Sequence, residues 1–205
     1  MMNITLGITG ASGIPISFSL LRTLLSDEFI DKIKRINLII SQAGIVTVKQ
    51  ETGITLSANP NSIKDILINE LLLARTDMLH VYTNNDWYSP VASGSSVSDV
   101  MVICPCSMAT LGKIASGIGD DLIVRGADVV LKERKNLIIV PREMPVNAIH
   151  LKNMYNLAKF GVSIIMPVPA FYTHPKSIDD VINFIVSRIL DQIGLDNELS
   201  PRWSE

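Results

Sequence analysis

At 205 residues the chain suits one domain with a large core, since a domain of this size buries roughly 70% of its unfolded surface. The net charge of −2, with no basic block, excludes a nucleic-acid footprint. Residues are 47% hydrophobic and mean hydropathy is +0.32, yet no apolar run reaches the ~18 residues of a membrane span, so the apolar surplus points to contacts between copies of the chain.

Thr5 to Thr9 reads as a strand ending in Gly10-Ala11-Ser12-Gly13. A helix follows, with Ile14, Phe18, Leu21 and Leu25 on one face and Pro15 in its first turn. The turn is either a plain tight turn or a phosphate cradle in which small residues let amides approach and the helix offers its positive end. The glycines at 7, 10 and 13 miss the G-x-G-x-x-G spacing. Ile36 to Ile40 is a second strand and ends in Ser41, not in the acid that holds an NAD ribose, so a mononucleotide is favoured over NAD. Ala43 to Glu51 reads as a helix stopped by Gly53, Ile63 to Leu73 as another, and Leu79 to Tyr82 as a short strand.

Asn84 to Ser98 is a long irregular stretch, and loops of that length are usually functional or mobile. Trp87 on it suits a lid, an interface or a cation-facing ring. Val100 to Cys104 is a strand. Ser107 and Thr110 sit where hydroxyls cap a helix or bond a flavin. Cys104 and Cys106 suit neither a zinc knuckle nor a disulfide framework, and a reducing cytoplasm fits them; the Met1-Met2-Asn3 start lacks a signal-peptide pattern. Leu122 to Glu133 is helical, and the mixed charges at 132–135 suit a solvated helix end.

Leu137 to Val140 is a strand followed by Pro141-Arg142-Glu143-Met144-Pro145. Arg142 suits a phosphate and Glu143 a proton transfer, or the two form a structural ion pair. Asn147 to Phe160 is a helix, Ser163 to Met166 a strand, and Pro167 to Pro175 a rigid turn bearing Tyr172. Ser177 caps the last helix, with Asp180 three residues on. Arg188 lies at the edge of that helix's apolar stripe, to snorkel or to close on an anion. Asp120-Asp121 and Asp179-Asp180 read as helix-start residues, and His80, His150 and His174 as structural.

Apolar strands alternating with helices predict an α/β fold: a single-domain, doubly wound parallel sheet in a three-layer sandwich of flavodoxin or Rossmann-like type, covering residues 1–205. The tail from about 192 to 205 is expected to pack on a neighbouring subunit. Ligands of such sheets bind beyond the carboxyl ends of the strands.

The ordered set Thr9-Gly10-Ala11-Ser12-Gly13, Asn85-Asp86-Trp87, Ala92-Ser93-Gly94-Ser95-Ser96, Cys104-Pro105-Cys106-Ser107 with Thr110, Ala127 to Arg134, Pro141-Arg142-Glu143, Phe171-Tyr172 and Pro201-Arg202-Trp203 resembles the UbiX-type flavin prenyltransferases almost end to end. The resemblance implies that reduced FMN is a prenyl acceptor, with bonds formed at N5 and C6. The implied donor is dimethylallyl monophosphate, and the product goes to a UbiD-type decarboxylase. It implies that Gly10, Ala11, Ser12, Ser41, Ser107, Met108, Ala109, Thr110 and Arg142 bind FMN, with Ser12 near N5. Tyr172, Arg188 and Lys132 would hold the donor phosphate, with Arg125 and Ser93 as helpers. Glu143 would transfer protons, Trp87 would face the allyl group, and Glu51 is a further site candidate. It also implies a homo-oligomer, expected as a dodecamer, with sites at subunit contacts. No metal is expected, because no second Asp-rich cluster is present. An FMN-dependent cysteine decarboxylase of the same fold and a non-catalytic flavin-binding regulator are the alternatives; the first lacks its Pro-x-Met-Asn-x-x-Met-Trp segment here.

Overall fold

A computed structural model describes residues 1–203. Six strands, β1 (Met2–Ile8), β2 (Ile33–Ile40), β3 (Leu79–Tyr82), β4 (Val100–Cys106), β5 (Asn136–Pro141) and β6 (Ser163–Ile164), form one parallel sheet in the order β3-β2-β1-β4-β5-β6. The order reverses between β1 and β4, the switch point of a Rossmann-type sheet. The helices are α1 (Ile14–Leu24), α2 (Gln42–Thr52), α3 (Pro60–Leu71), α4 (Met108–Ala115), α5 (Leu122–Lys132), α6 (Ala148–Lys159) and α7 (Ile178–Ile193).

Successive strand side chains point to opposite faces, and the sheet divides accordingly. Ile4, Leu6, Ile8, Leu38, Val102 and Val140 pack with α1, α2, α3 and α7. Ile39, Met101, Ile103, Leu137 and Ile139 pack with α4, α5 and α6. The central strands are apolar on both sides because both sides are covered. Toward the start of β1 and β2 the second face is polar instead. Thr5 and Ser98 hydroxyls meet at 2.7 Å, Asn37 donates to Ser98 at 3.2 Å, and Arg35 donates to Asn37 at 2.8 Å.

Several boundaries differ from those the sequence predicts. β4 runs on through Pro105 to Cys106, which pairs with Pro141. β6 stops at Ile164 rather than Met166, since Pro167 and Pro169 supply no N–H to a ladder. α3 starts at Pro60, three residues before its apolar period, because Asn59 caps it and proline suits the first turn. Gly53 ends α2 in the left-handed conformation, and Ser177 with Asp180 forms a capping box on α7. Asp121 caps α5 and His150 completes the capping box of α6, the structural roles read for them.

The loop after β3 is pinned along its middle. Val91 is buried against Gly126 of α5, where an added Cβ would lie 2.6 Å from the valine. Trp87 and Tyr88 stay exposed at its tip. The tail expected at a neighbouring subunit folds first on its own chain: Leu195 and Asn197 are buried, and Arg202 pairs with Asp191 of α7. Residues 204–205 of that tail lie outside the described residues.

Candidate active site

The rim above β1 and β4 collects the turns that follow β1, β2, β4 and β5. Two hydrogen bonds lock the β1 and β4 turns together: the Thr9 hydroxyl donates to the Pro105 carbonyl and accepts from the Ser107 amide, both at 2.8 Å. Neither sequence spacing nor composition singles out Thr9, although a buried hydroxyl ending an apolar strand is a usable signal. Gly10 is held against α2, where an added Cβ would stand 2.5 Å from that of Ala43. Gly44 is equally confined, because its Cβ would meet the Ile8 carbonyl at 2.8 Å. Two backbone segments, 8–10 and 43–44, therefore meet at a spacing only glycine allows.

Ser41 caps α2 by accepting from the Gly44 amide at 3.0 Å. Ser107 caps α4 by accepting from the Thr110 amide at 3.2 Å, and its Oγ lies 3.0 Å from Thr110 Oγ1. Ser12 is exposed beside them, Ala11 and Met108 are buried, and Ala109 is exposed. A hydroxyl that accepts one bond keeps its O–H donor and a second lone pair, which suit an oxyanion and a ribityl hydroxyl respectively. Arg142 follows β5 with its amide on the Cys106 carbonyl at 3.2 Å, and its side chain is exposed with no carboxylate in ion-pair range among the described residues. The Arg142–Glu143 ion pair left open by the sequence is thus not formed; Glu143 instead accepts from the Met144 amide at 3.2 Å.

One expectation is corrected. The positive end of α1 does not lie open to a phosphate, because the Glu51 carboxylate of α2 accepts from Gly13 at 3.0 Å and from Ile14 at 2.9 Å. A carboxylate satisfies those orphan amides and the helix dipole at once. The donors left for an anion on this rim are Ser41, Ser107, Thr110 and Arg142. The same bonds place Glu51, the weaker candidate of the sequence, against the turn that carries Ser12.

Below the rim, Cys104 and Cys106 are fully buried free thiols. Burial pushes the Cys104 thiol up to about 12 and raises Cys106 as well, so neither is a nucleophile near neutrality. Ser17 donates to the Cys104 carbonyl at 2.6 Å, tying α1 to β4.

The residues expected to hold a second anion are not on this rim. Arg125, Lys132 and Ser93 form a patch on the outer side of α5. Arg125 donates to the Ala92 carbonyl at 3.3 Å and pairs with Asp128 at 2.9 Å. Lys132 pairs with Glu133, and a side chain at Gly94 would run into both. Arg188 and Tyr172 lie elsewhere again. Arg188 lines a cavity of about 430 Å³ between β6 and α7 with Phe184 and Met166, and Tyr172 meets Phe184 edge-on at 6.2 Å. Among the described residues no hydrogen bond, ion pair or ring contact links the α5 patch to Arg188. Nor is any group of three or more His, Cys, Asp and Glu placed to hold a metal ion among them. No helix there is long and apolar enough to cross a membrane.

Comparison with known proteins agrees with this arrangement. The family model described as Flavoprotein matches residues 1–190. The flavin prenyltransferase UbiX of Pseudomonas aeruginosa is 42% identical over 202 residues, which is 98% of this chain and 94% of the relative. The crystal structure of a dodecameric FMN-dependent UbiX-like decarboxylase from Escherichia coli O157:H7 superposes with a TM-score of 0.85 at 36% identity, covering 100% of both chains. AnUbiX (PadA1), solved in complex with FMN and dimethylallyl pyrophosphate, gives a TM-score of 0.84 at 37% identity over 100% of this chain and 98% of its own. With a flavoprotein rim at the switch point and relatives this similar over nearly its whole length, the chain belongs to the UbiX flavin prenyltransferases.

Proposed function

We propose that the chain transfers a dimethylallyl group from dimethylallyl monophosphate to reduced FMN, releasing phosphate. The observation that carries this reading is that the turns after β1, β2, β4 and β5, at one end of the parallel sheet, bear the confined Gly10, the Ser41, Ser107 and Thr110 hydroxyls and Arg142-Glu143, with Glu51 of α2 bonded to the Gly13 turn. These donors suit a phosphate monoester with a polyol chain. Gly10, Ala11, Ser12, Ser41, the 107–110 turn and Arg142 would hold FMN. When bound, the reduced flavin supplies the nucleophilic ring atoms, N5 and C6.

The chain's own residues do the rest. The allylic C–O bond breaks with its electron pair leaving on the phosphate. Fixed cationic groups, Arg188, Lys132 and Arg125, with the Tyr172 and Ser93 hydroxyls, stabilise that developing anion. The Trp87 ring offers a π-face to the allylic cation. Glu143 takes a proton on a carboxylate oxygen, and Glu51 keeps the Gly13 turn in register beside Ser12. A monophosphate leaving group held this way needs no metal.

The cations stand apart within one chain, so the site is completed by other copies. The dodecameric relative and the exposed Phe160, Tyr155, Ile149 and Met144 along one side support an assembly of that kind, here a dodecamer. The product, prenylated FMN, passes to a UbiD-type decarboxylase. Two reduced, buried thiols suit a cytoplasmic location.

The test is anaerobic incubation with reduced FMN and dimethylallyl phosphate. Phosphate release with a changed flavin spectrum is expected. Turnover of a peptidyl or pantothenoyl cysteine instead would establish a cysteine decarboxylase. Flavin binding with neither reaction would leave only a flavin-binding regulator.

A further inference from the structure

Asp191 gathers more charge than any role above requires. Its carboxylate, 16% exposed, pairs with Arg188 one turn earlier on α7 at 2.5 Å. Arg202 grips both of its oxygens at 2.8 and 2.9 Å, and Asn197 donates to it at 3.2 Å. Arg202 also donates to the Asn197 carbonyl at 3.1 Å, which closes the tail into a loop on α7. The next residue, Trp203, meets Tyr172 edge-on at 4.9 Å. Two consecutive tail residues are therefore tied to both Arg188 and Tyr172, one through a carboxylate and one through a ring.

We propose that Asp191 is a positioning residue for Arg188 and that Asp191 with Arg202 latches the tail, so that Arg188 and Tyr172 are presented together to the donor phosphate. This rests on the reading that those two residues bind the donor. A half-exposed guanidinium on a long stem loses rotamer freedom when it clamps an anion, and holding it beforehand removes that cost. The contact with Asp191 engages one end of the Arg188 fork, and arginine keeps further N–H donors for a phosphate. Two guanidiniums against one carboxylate leave a net positive charge where an anion is expected.

The experiment is a double-mutant cycle on the full-length protein, with KM for dimethylallyl phosphate, kcat and FMN affinity measured for Asp191→Asn, Arg188→Ala and the pair. Asp191→Asn is expected to raise the donor KM about tenfold, the worth of a charge-assisted hydrogen bond, with kcat and FMN affinity held within about twofold. In the Arg188→Ala background the same change is expected to have no further effect on KM, because both act through one guanidinium. Arg202→Gln is expected to raise KM in the same direction and to shift tryptophan emission from Trp203, and Asp191→Glu to restore most of the lost affinity. Additive losses in the double variant would overturn the proposal, as would a fall in kcat or FMN affinity with KM unchanged. If Arg188→Ala leaves KM alone, the donor assignment itself fails and the latch with it. If Asp191→Asn is not recovered folded, Arg202→Gln carries the same cycle, and additivity with Arg188→Ala overturns the latch equally.

Discussion

Around Gly10 and Ser107, every candidate ligand sits on a turn just beyond a strand, and the backbone is fixed from several sides: Thr9 ties the β1 turn to the β4 turn, Glu51 closes the start of α1, and Ala43 abuts Gly10. Around Lys132 and Arg188, the candidate ligands are side chains on helix surfaces. Lys132 and Arg188 are about half-exposed, paired with neighbouring acids, and carried by helices that pack on opposite faces of the sheet. On the proposed reading the nucleotide end of the site belongs to one chain and the donor end needs a second copy. A rigid half made in cis would then bind the cofactor before assembly, and a half made in trans would make transfer conditional on it.

The sharpest break of that contrast is Glu143→Gln. On the rim it removes only a proton-transfer group, so turnover is expected to fall by about 10²–10⁴ while FMN affinity stays unchanged by fluorescence titration. Next come Lys132→Ala and Arg188→Ala, each expected to raise the donor KM by at least about tenfold and to spare FMN. Refolding the two variants together is expected to return tight donor binding in a fraction of sites, since a mixed assembly pairs one intact Arg188 with one intact Lys132. No recovery would place both residues in one copy's site.

Gly10→Ala tests the rigid half by itself. The added Cβ meets that of Ala43, and a loss of about 1–3 kcal/mol in urea unfolding is expected together with weaker FMN binding. A smaller effect concerns the strand beneath the rim. With burial holding Cys104 up to about 12, iodoacetamide at pH 8 is expected to label neither cysteine until denaturant is added. The smallest lies at the far edge, on β3, where burial and then Arg35 and Lys64 lower the His80 pKa. A histidine held neutral in the fold lends stability that is full above its unfolded pKa of about 6.5 and is lost as pH falls below it. His80→Gln is expected to flatten the unfolding midpoint between pH 7 and pH 5 while leaving flavin binding alone.

What could be read from the residues follows the same division. The Gly10 turn, Ser41, Ser107 with Thr110, and Arg142-Glu143 were legible because they follow apolar strands, and the sheet puts everything that follows a strand on one edge. Cap chemistry made Ser177, Gly53 and Asp121 legible, since it acts over three residues. Glu51 was legible only as a weaker candidate, because its bonds to Gly13 and Ile14 span 38 and 37 residues and depend on how α2 packs on α1. Asp191 carried no motif at all: its partners Arg188 and Arg202 meet only once the tail folds back. The open α1 terminus was misread because nothing local marks a distant carboxylate as its occupant.

Transfer of a dimethylallyl group to the flavin is most directly tested by the mass of the flavin extracted after anaerobic reaction with reduced FMN and dimethylallyl phosphate. The account predicts a flavin carrying one dimethylallyl group in place of a hydrogen, with one phosphate released for each. Recovery of unmodified FMN from fully assembled, FMN-loaded protein would contradict it.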